Sequence, residues 1–372
     1  DVYKRQELQL IPPPTEITVT DTSDSGENSL RQALEDIAIG GTITFDPALA
    51  GGTILLTSGP LIPPANVTID GSSAPGLSVN GNGTDRVFVI DAGLDVTLSD
   101  LEVTNGYGFQ LAGGILNNGN LTLNRVIVSN NLMTTDSGDF WQGGGGIYNG
   151  AGASLNLIDS TVSDNNSGYA GGGVYSFFDT YVLVERSTIS NNVALDVGGG
   201  FRGLGDLVIA NSTVSGNVST AWHGGGGFFT DGVTDVINST VVDNVAPLGT
   251  AGGLFVGTFG DAAASLGVTN SIVGNNADFA CFLAPFGPGP VSLTSGGGNV
   301  FTDATCNPVD SDQVVADPGV GPLQNNGGPT NTHALESESP AIDAAIPGAC
   351  PATDQRGVAR DATCDSGSFE FV

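Results

Sequence analysis

The sequence predicts an all-β solenoid, a right-handed parallel β-helix, and three observations predict it. The first is a phrase that returns along the chain. It reads Ser187-Thr-Ile-Ser-Asn-Asn192 with Gly198-Gly-Gly-Phe201, then Ser212-Thr-Val-Ser-Gly-Asn217 with Gly224-Gly-Gly-Gly-Phe-Phe229. Further copies run from Val126 to Asn131, Asp159 to Asn165, Ser239 to Asn244 and Ser271 to Asn276. The second is spacing. The central aliphatic residue falls at Val128, Val162, Ile189, Val214, Val241 and Val273, in steps of 34, 27, 25, 27 and 32 residues. A period near 25 built of short β-type runs means stacked supersecondary units. The third is pattern. Each copy shows three short strands, as at 161–163, 174–177 and 181–185, bounded by Gly, Asn or Asp, and no stretch here holds an apolar 3.6 period for long. Handedness follows from the preference for right-handed crossovers. Nine or ten coils at the strand spacing give a height of roughly 45 Å.

The elements follow in order. Asp1 to Gln6 hold the chain's one lysine and read as translated adapter rather than protein, so the natural N-terminus is expected to be missing. Residues 1–14, with Ile11-Pro-Pro-Pro14, form an extended lead-in. Residues 15–50 are expected as an N-terminal cap. It contains the chain's best helix, where Ser29 is the N-cap and Leu30, Ala33, Leu34 and Ile37 share a face. Residues 51–300 are the β-helix and 301–372 an irregular C-terminal cap. Within the tail, Asp354, Arg356 and Arg360 read either as an ion-paired knot or as a site.

Three residues after each register mark stand Asn131, Asn165, Asn192, Asn217, Asn244 and Asn276. Stacked coils would bring these side chains about 4.8 Å apart, the geometry of an asparagine ladder. The Gly runs suit corners of close approach and resemble no phosphate loop, since no Lys-Ser/Thr follows. Coil lengths differ mostly between the ladder Asn and the Gly run, at 132–142, 166–170, 193–197, 218–223 and 245–251. These loops should stack on one edge. They carry Phe140, Trp141, Tyr169, Trp222 and His223, with Asp136, Asp139 and Asp196, a set that suits sugar rings and their hydroxyls, unless Trp141 and Trp222 cover the loops' own apolar underside. Thr161/Ser163, Thr188/Ser190 and Thr213/Ser215 place outward hydroxyl rows on another face, a pattern that could order water but is commonest as solvated strand surface.

Composition bounds the function. With 39 acidic against 9 basic residues and a net charge of −30, nucleic acid and anionic membrane are poor partners, while cations, basic surfaces and neutral glycans remain open. No run of 18 apolar residues is present to span a membrane. The cysteines Cys281, Cys306, Cys350 and Cys364 are spaced to close two local disulfides, Cys281–Cys306 and Cys350–Cys364, with free buried thiols as the alternative. Disulfides would imply an oxidising compartment. No Ser/His/Asp constellation is present, and His223 and His333 are isolated. Arg125 and Arg186, with Asp100, Asp159 and Asp164, are the candidates for any lyase or hydrolase chemistry, but their spacing does not converge on one cluster. No cofactor is required; calcium would suit an Asp-rich turn.

Residues 15–105 resemble the N-terminal region of bacterial CSLREA-type secreted proteins, through Ile17-Thr-Val-Thr-Asp21, Asn28-Ser-Leu-Arg-Gln-Ala33, Thr42-Ile-Thr-Phe-Asp-Pro47 and Val67-Thr-Ile-Asp-Gly71. The coils resemble polymorphic-outer-membrane-protein-type repeats, and the tail is similar to the choice-of-anchor Q domain through Ser339-Pro-Ala-Ile-Asp343, Thr353-Asp-Gln-Arg-Gly-Val-Ala-Arg360 and Cys364 to Glu370. The resemblance implies an exported, often surface-anchored protein with no activity commonly assigned. The expected protein is a monomer, extracellular or on the bacterial surface, that binds glycan or a cell-surface or matrix protein along the loop edge without catalysis. The runner-up is a polysaccharide lyase or glycoside hydrolase.

Overall fold

The structure is a computed structural model and describes residues 12–139, 141–221, 224–247 and 249–372. Four parallel sheets run along one axis. Sheet 1 has eleven strands, from Glu16–Val19 to Val291–Gly297, and sheet 2 has eleven, from Thr53–Leu55 to Gln313–Val314. Sheet 3 has five, from Tyr107–Phe109 to Val218–Ser219, and sheet 4 has eight, from Phe88–Ile90 to Phe279–Pro285. In a full coil the chain visits sheets 1, 2, 3 and 4 in turn, as in Asn120–Asn124, Ile127–Ser129, Leu132–Thr134 and Ile147–Asn149. The all-β parallel β-helix of about ten turns is therefore as expected. Sheet 3 was not: its strands are two or three residues long, too short to show alternation.

The register marks stack as expected. Val128 pairs with Val162, Val162 with Ile189, Ile189 with Val214, Val214 with Val241, and Val241 with Val273, all buried. Their column is part of one continuous apolar core from Val19 to Phe301. The helix Leu30–Asp36 adds Leu30, Ala33 and Leu34 to that core, and its N-cap Ser29 accepts from the Gln32 N–H. Strands Glu16–Val19 and Gly41–Phe45 flank the helix and are already the first two of sheet 1. The solenoid thus begins inside the segment expected as a cap, because the helix is an excursion between two paired strands.

Both corners of a coil near sheet 2 turn through one residue of positive φ. After sheet 1 these are Asp100, Arg125, Asp159, Arg186, Asn211, Asn238 and Asn270; after sheet 2 they include Asn105, Asn130, Asp164, Asn191 and Asp243. After glycine, which makes the corner after sheet 2 at Gly216, Asn and Asp tolerate the conformation best, which explains the Asn-Asn and Asp-Asn pairs. The first member makes the corner and the second enters the ladder. Asn165 accepts from Asn131, Asn192 from Asn165, Asn217 from Asn192, Asn244 from Asn217 and Asn276 from Asn244, with Nδ2···Oδ1 distances of 2.9–3.0 Å. A second ladder runs beside it. The backbone N–H groups of Ser160, Ser187, Ser212 and Ser239 donate to the hydroxyls of Ser187, Ser212, Ser239 and Ser271, at 3.0–3.1 Å.

The glycine corner preceding sheet 4 is a place of close approach. A Cβ on Gly172 would stand 2.3 Å from the Gly199 carbonyl oxygen, and one on Gly199 would stand 2.5 Å from that of Gly226. No side chain fits there.

The tail does not sit wholly over the last coil. Residues 300–314 extend sheet 2, and the Cys281–Cys306 disulfide ties that end down, while Cys350–Cys364 closes a loop within the tail. From about residue 320 the chain folds back along the outer face of sheet 2. Gln355 Oε1 accepts from Thr213 Oγ1 at 2.7 Å, Gln355 Nε2 donates to Thr188 Oγ1 at 2.9 Å, and Ser368 N donates to Thr240 Oγ1 at 3.1 Å. The hydroxyl rows at Thr188, Ser190, Thr213 and Ser215 are consequently buried, so they serve as a docking strip for the tail rather than as a water-ordering face.

Candidate functional site

The site grows from the strands of sheet 4. In each strand the first residue after the glycine corner points to the core, as Ile147, Val174, Phe201 and Phe228 do. The second points outward, and register stacks these as Leu116, Tyr148, Tyr175, Arg202, Phe229, Phe255 and Phe282. Tyr148 and Tyr175 stack with centroids 5.1 Å apart, and Phe229 and Phe255 at 4.7 Å. Arg202 interrupts this aromatic column. Its guanidinium carbon lies 4.2 Å from the Phe229 ring centre and 5.5 Å from that of Phe259.

Loops fold over the column and bury it. Arg202 is only 2% exposed, and its Nη1 is buried with no hydrogen-bond partner among the described residues. Burial pulls its pKa down, against the charges of Tyr175, Asp231 and Asp196, yet an arginine stays protonated in such a site. Asp231 is 6% exposed. Burial pushes its carboxyl up, opposed by Arg202, the Thr258 hydroxyl and the Phe259 N–H at 3.3 Å.

A pocket of about 400 Å³ opens above this pair. Trp141, Phe178, Leu204 and Phe259 wall it, and Arg202, Asp231 and Thr258 are its buried polar lining. Trp141 is 51% exposed and meets Phe177 and Phe178 at 5.5 and 5.6 Å. A more polar trough of about 540 Å³ adjoins, sharing Phe178, Leu204 and Asp231 and adding Asp179, Thr180 and Asp206. The walls come from two edges: Trp141 from the loop before the glycine corner, and Phe178 and Phe259 from the turns between sheets 4 and 1.

Of the loop-edge residues expected from sequence, Trp141 alone among the described ones lines the pocket. Tyr169 and Asp196 lie together near Arg202. Burial pushes the Tyr169 phenol up to about 12, helped by the charge and hydrogen bond of Asp196. Asp136 and Asp139 are exposed on the 132–142 loop, where Asp139 accepts from the Ser137 hydroxyl. Phe140, Trp222 and His223 lie outside the described residues. Arg202, Asp231, Phe178 and Phe259 were not anticipated. The signal for Arg202 was a break in the aromatic second position after the Gly run, with Tyr148 and Tyr175 before it and Phe229 and Phe255 after.

The arginines expected to mark any chemistry belong to a structural column. Arg125 makes a two-pronged contact with Asp100 at 2.6–2.7 Å, and Arg186 one with Asp159 at 2.9–3.1 Å, along the corner after sheet 1. Spacing alone hid this convergence, because coil lengths vary while the corners stay in register. In the tail, Asp354 is fully buried and bonded by Arg356, Val358 and Glu370, and Arg360 pairs with Glu370 at 3.0 Å, an ion-paired knot. His333 is buried between Ser215 Oγ at 2.8 Å and the Gly321 carbonyl at 2.6 Å. Among the described residues no three His, Cys, Asp or Glu side chains converge as metal ligands, and no helix is long and apolar enough to cross a membrane.

No protein-family model matches the chain, and no curated protein matches it. A solved structure does: the crystal structure of pectate lyase Pel9A is similar over 97% of this chain and 98% of that one, with a TM-score of 0.53 and 15% identity. That likeness is one of fold, a parallel β-solenoid with structural similarity to a pectate lyase.

Proposed function

We propose that the chain is an extracellular or cell-surface protein that binds glycan at the aromatic-walled pocket, without turning it over. One observation carries this. A half-exposed Trp141 faces a pocket shared with Phe178 and Phe259, beside a polar trough. Flat apolar ring faces beside a few convergent polar groups suit the face and edge of a sugar. The two disulfides agree with an oxidising compartment. Adhesion through a protein partner on the same edge would use the same exposed ring.

A second reading, a polysaccharide lyase or hydrolase, is favoured by the fold shared with a pectate lyase. A panel of glycans and polysaccharides, scored for binding and product release with and without calcium, separates the two. Binding without product, lost in Trp141→Ala, supports the first. Product release at any calcium level sinks it. Calcium-dependent binding would point to carboxylate and carbonyl oxygens in the coil turns as its ligands.

A further inference from the structure

We propose that the pocket selects a carboxylate-bearing sugar, a uronic-acid residue within a glycan, and that the Arg202 guanidinium receives the carboxylate. This rests on the glycan reading above and deepens it. Arg202 is buried between ring faces, closes no ion pair among the described residues, and leaves Nη1 without a hydrogen-bond partner there. Such a cation is costly to keep, since buried charges are otherwise paired. The strand does not require it: every other described side chain from Tyr148 to Phe282 in that column is aromatic and packs well. An arginine placed there suits an anion that arrives from outside.

The form of the site narrows the anion. A guanidinium presents parallel N–H donors that match a carboxylate's two oxygens. Asp231 does not occupy them, because its oxygens meet the Thr258 hydroxyl and the Phe259 N–H. Trp141, Phe178 and Phe259 supply ring faces for the apolar side of a pyranose, and about 400 Å³ is within the range of small-ligand pockets. The adjoining trough with Thr180 and Asp206 leaves room for neighbouring sugars of a chain. A neutral sugar would leave the guanidinium unpaired.

The test is calorimetric titration of the full chain with galacturonate and glucuronate oligosaccharides, with their methyl esters, and with neutral oligosaccharides of equal length. The free acids should bind at least about tenfold more tightly than the esters, as expected where a buried charge loses its partner. Arg202→Met should abolish that preference while leaving the melting temperature equal or higher, because an apolar side chain replaces an unpaired charge. A merely structural arginine would give the opposite thermal shift and no change in preference. If Arg202→Met fails to fold, the comparison of acid with ester on the unaltered chain decides. Equal binding of acid and ester, or a preference that survives Arg202→Met, overturns the proposal. Tight binding of neutral glycans alone, lost in Trp141→Ala, would leave the glycan reading standing and sink this one. No carbohydrate binding at all would sink both.

Discussion

Asn192 shows what a single side chain does in this molecule. Its Oδ1 accepts from Asn165 N and Nδ2 at 3.1 and 3.0 Å, and its Nδ2 donates to Asn217 Oδ1 and Val162 O, both at 2.9 Å. The group is fully buried, so none of these partners has water as a substitute. At about 1 kcal/mol per bond, Asn192→Ala should cost roughly 3–5 kcal/mol. Asn276 ends the ladder, is half-buried and makes three such bonds, so Asn276→Ala should cost about 1–2 kcal/mol less. Urea denaturation of the two variants checks the order, and equal losses would refute a ladder that is strongest at its centre. Asp24 offers a second measurement at this scale. Burial opposes its charge, but the Ser58 hydroxyl, the Arg31 guanidinium and the Thr57 N–H and hydroxyl outweigh it and hold the pKa at about 2. A depressed carboxyl stabilises above its unfolded value near 4 and loses that contribution as pH falls toward 2. The loss is at most about 2 kcal/mol before solvent screening. Asp24→Asn should therefore be less stable than the parent at pH 6 and approach it at pH 2. A constant gap in melting temperature would contradict this.

The tail is the element whose behaviour sequence left open. His333 Nδ1–H donates to the Gly321 carbonyl, and its Nε2 lies 2.8 Å from the Ser215 hydroxyl. Burial lowers its pKa against the pull of the Gly321 carbonyl. A histidine depressed in the folded state stabilises above its unfolded pKa of about 6.5 and does so less as pH drops below it. Protection factors of residues 320–372, corrected for the intrinsic pH dependence of amide exchange, should fall between pH 7 and pH 5 while those of the coils hold, and His333→Gln should flatten that response. Unchanged protection at pH 5 would refute it. Much of the coil was legible because a period writes itself into sequence: Val128 to Val273 land in one column, and the ladder asparagines in another. The serine ladder was equally periodic, two residues before each mark from Val162 to Val273, but Ser is common in strands and carries no alarm. The tail contacts were not legible. Gln355 and Thr213 stand 142 residues apart, and nothing local in either announces the other. The pocket was half legible: Trp141 stood out as an exposed aromatic in a loop, whereas Arg202 reads as ordinary until the strands are stacked on one another.

At the scale of the whole molecule, charge and site pull in opposite directions. A net charge of −30 surrounds a pocket that keeps one buried cation. Repulsion among the acids opposes the compact state, and it also repels an acidic glycan from a distance. Screening shortens that repulsion to about 10 Å at 0.1 M salt and about 3 Å at 1 M, while a contact at a buried guanidinium is screened far less. Two consequences follow from the same field. The melting temperature should rise as sodium chloride goes from low to moderate concentration. The association rate of a long polyuronate should rise over the same range, whereas its dissociation rate should change little, because the final contact lies inside the pocket. A short oligouronate carries less charge and should show a weaker salt effect on association. Stopped-flow tryptophan fluorescence, which Trp141 at the pocket wall makes feasible, measures both rates. Association that slows steeply with salt would mean that an exposed basic surface captures the ligand. Among the described residues the arginines offer no such surface, since Arg31, Arg125, Arg186, Arg356 and Arg360 are all closed in ion pairs. Capture by attraction would therefore remove Arg202 from its proposed role.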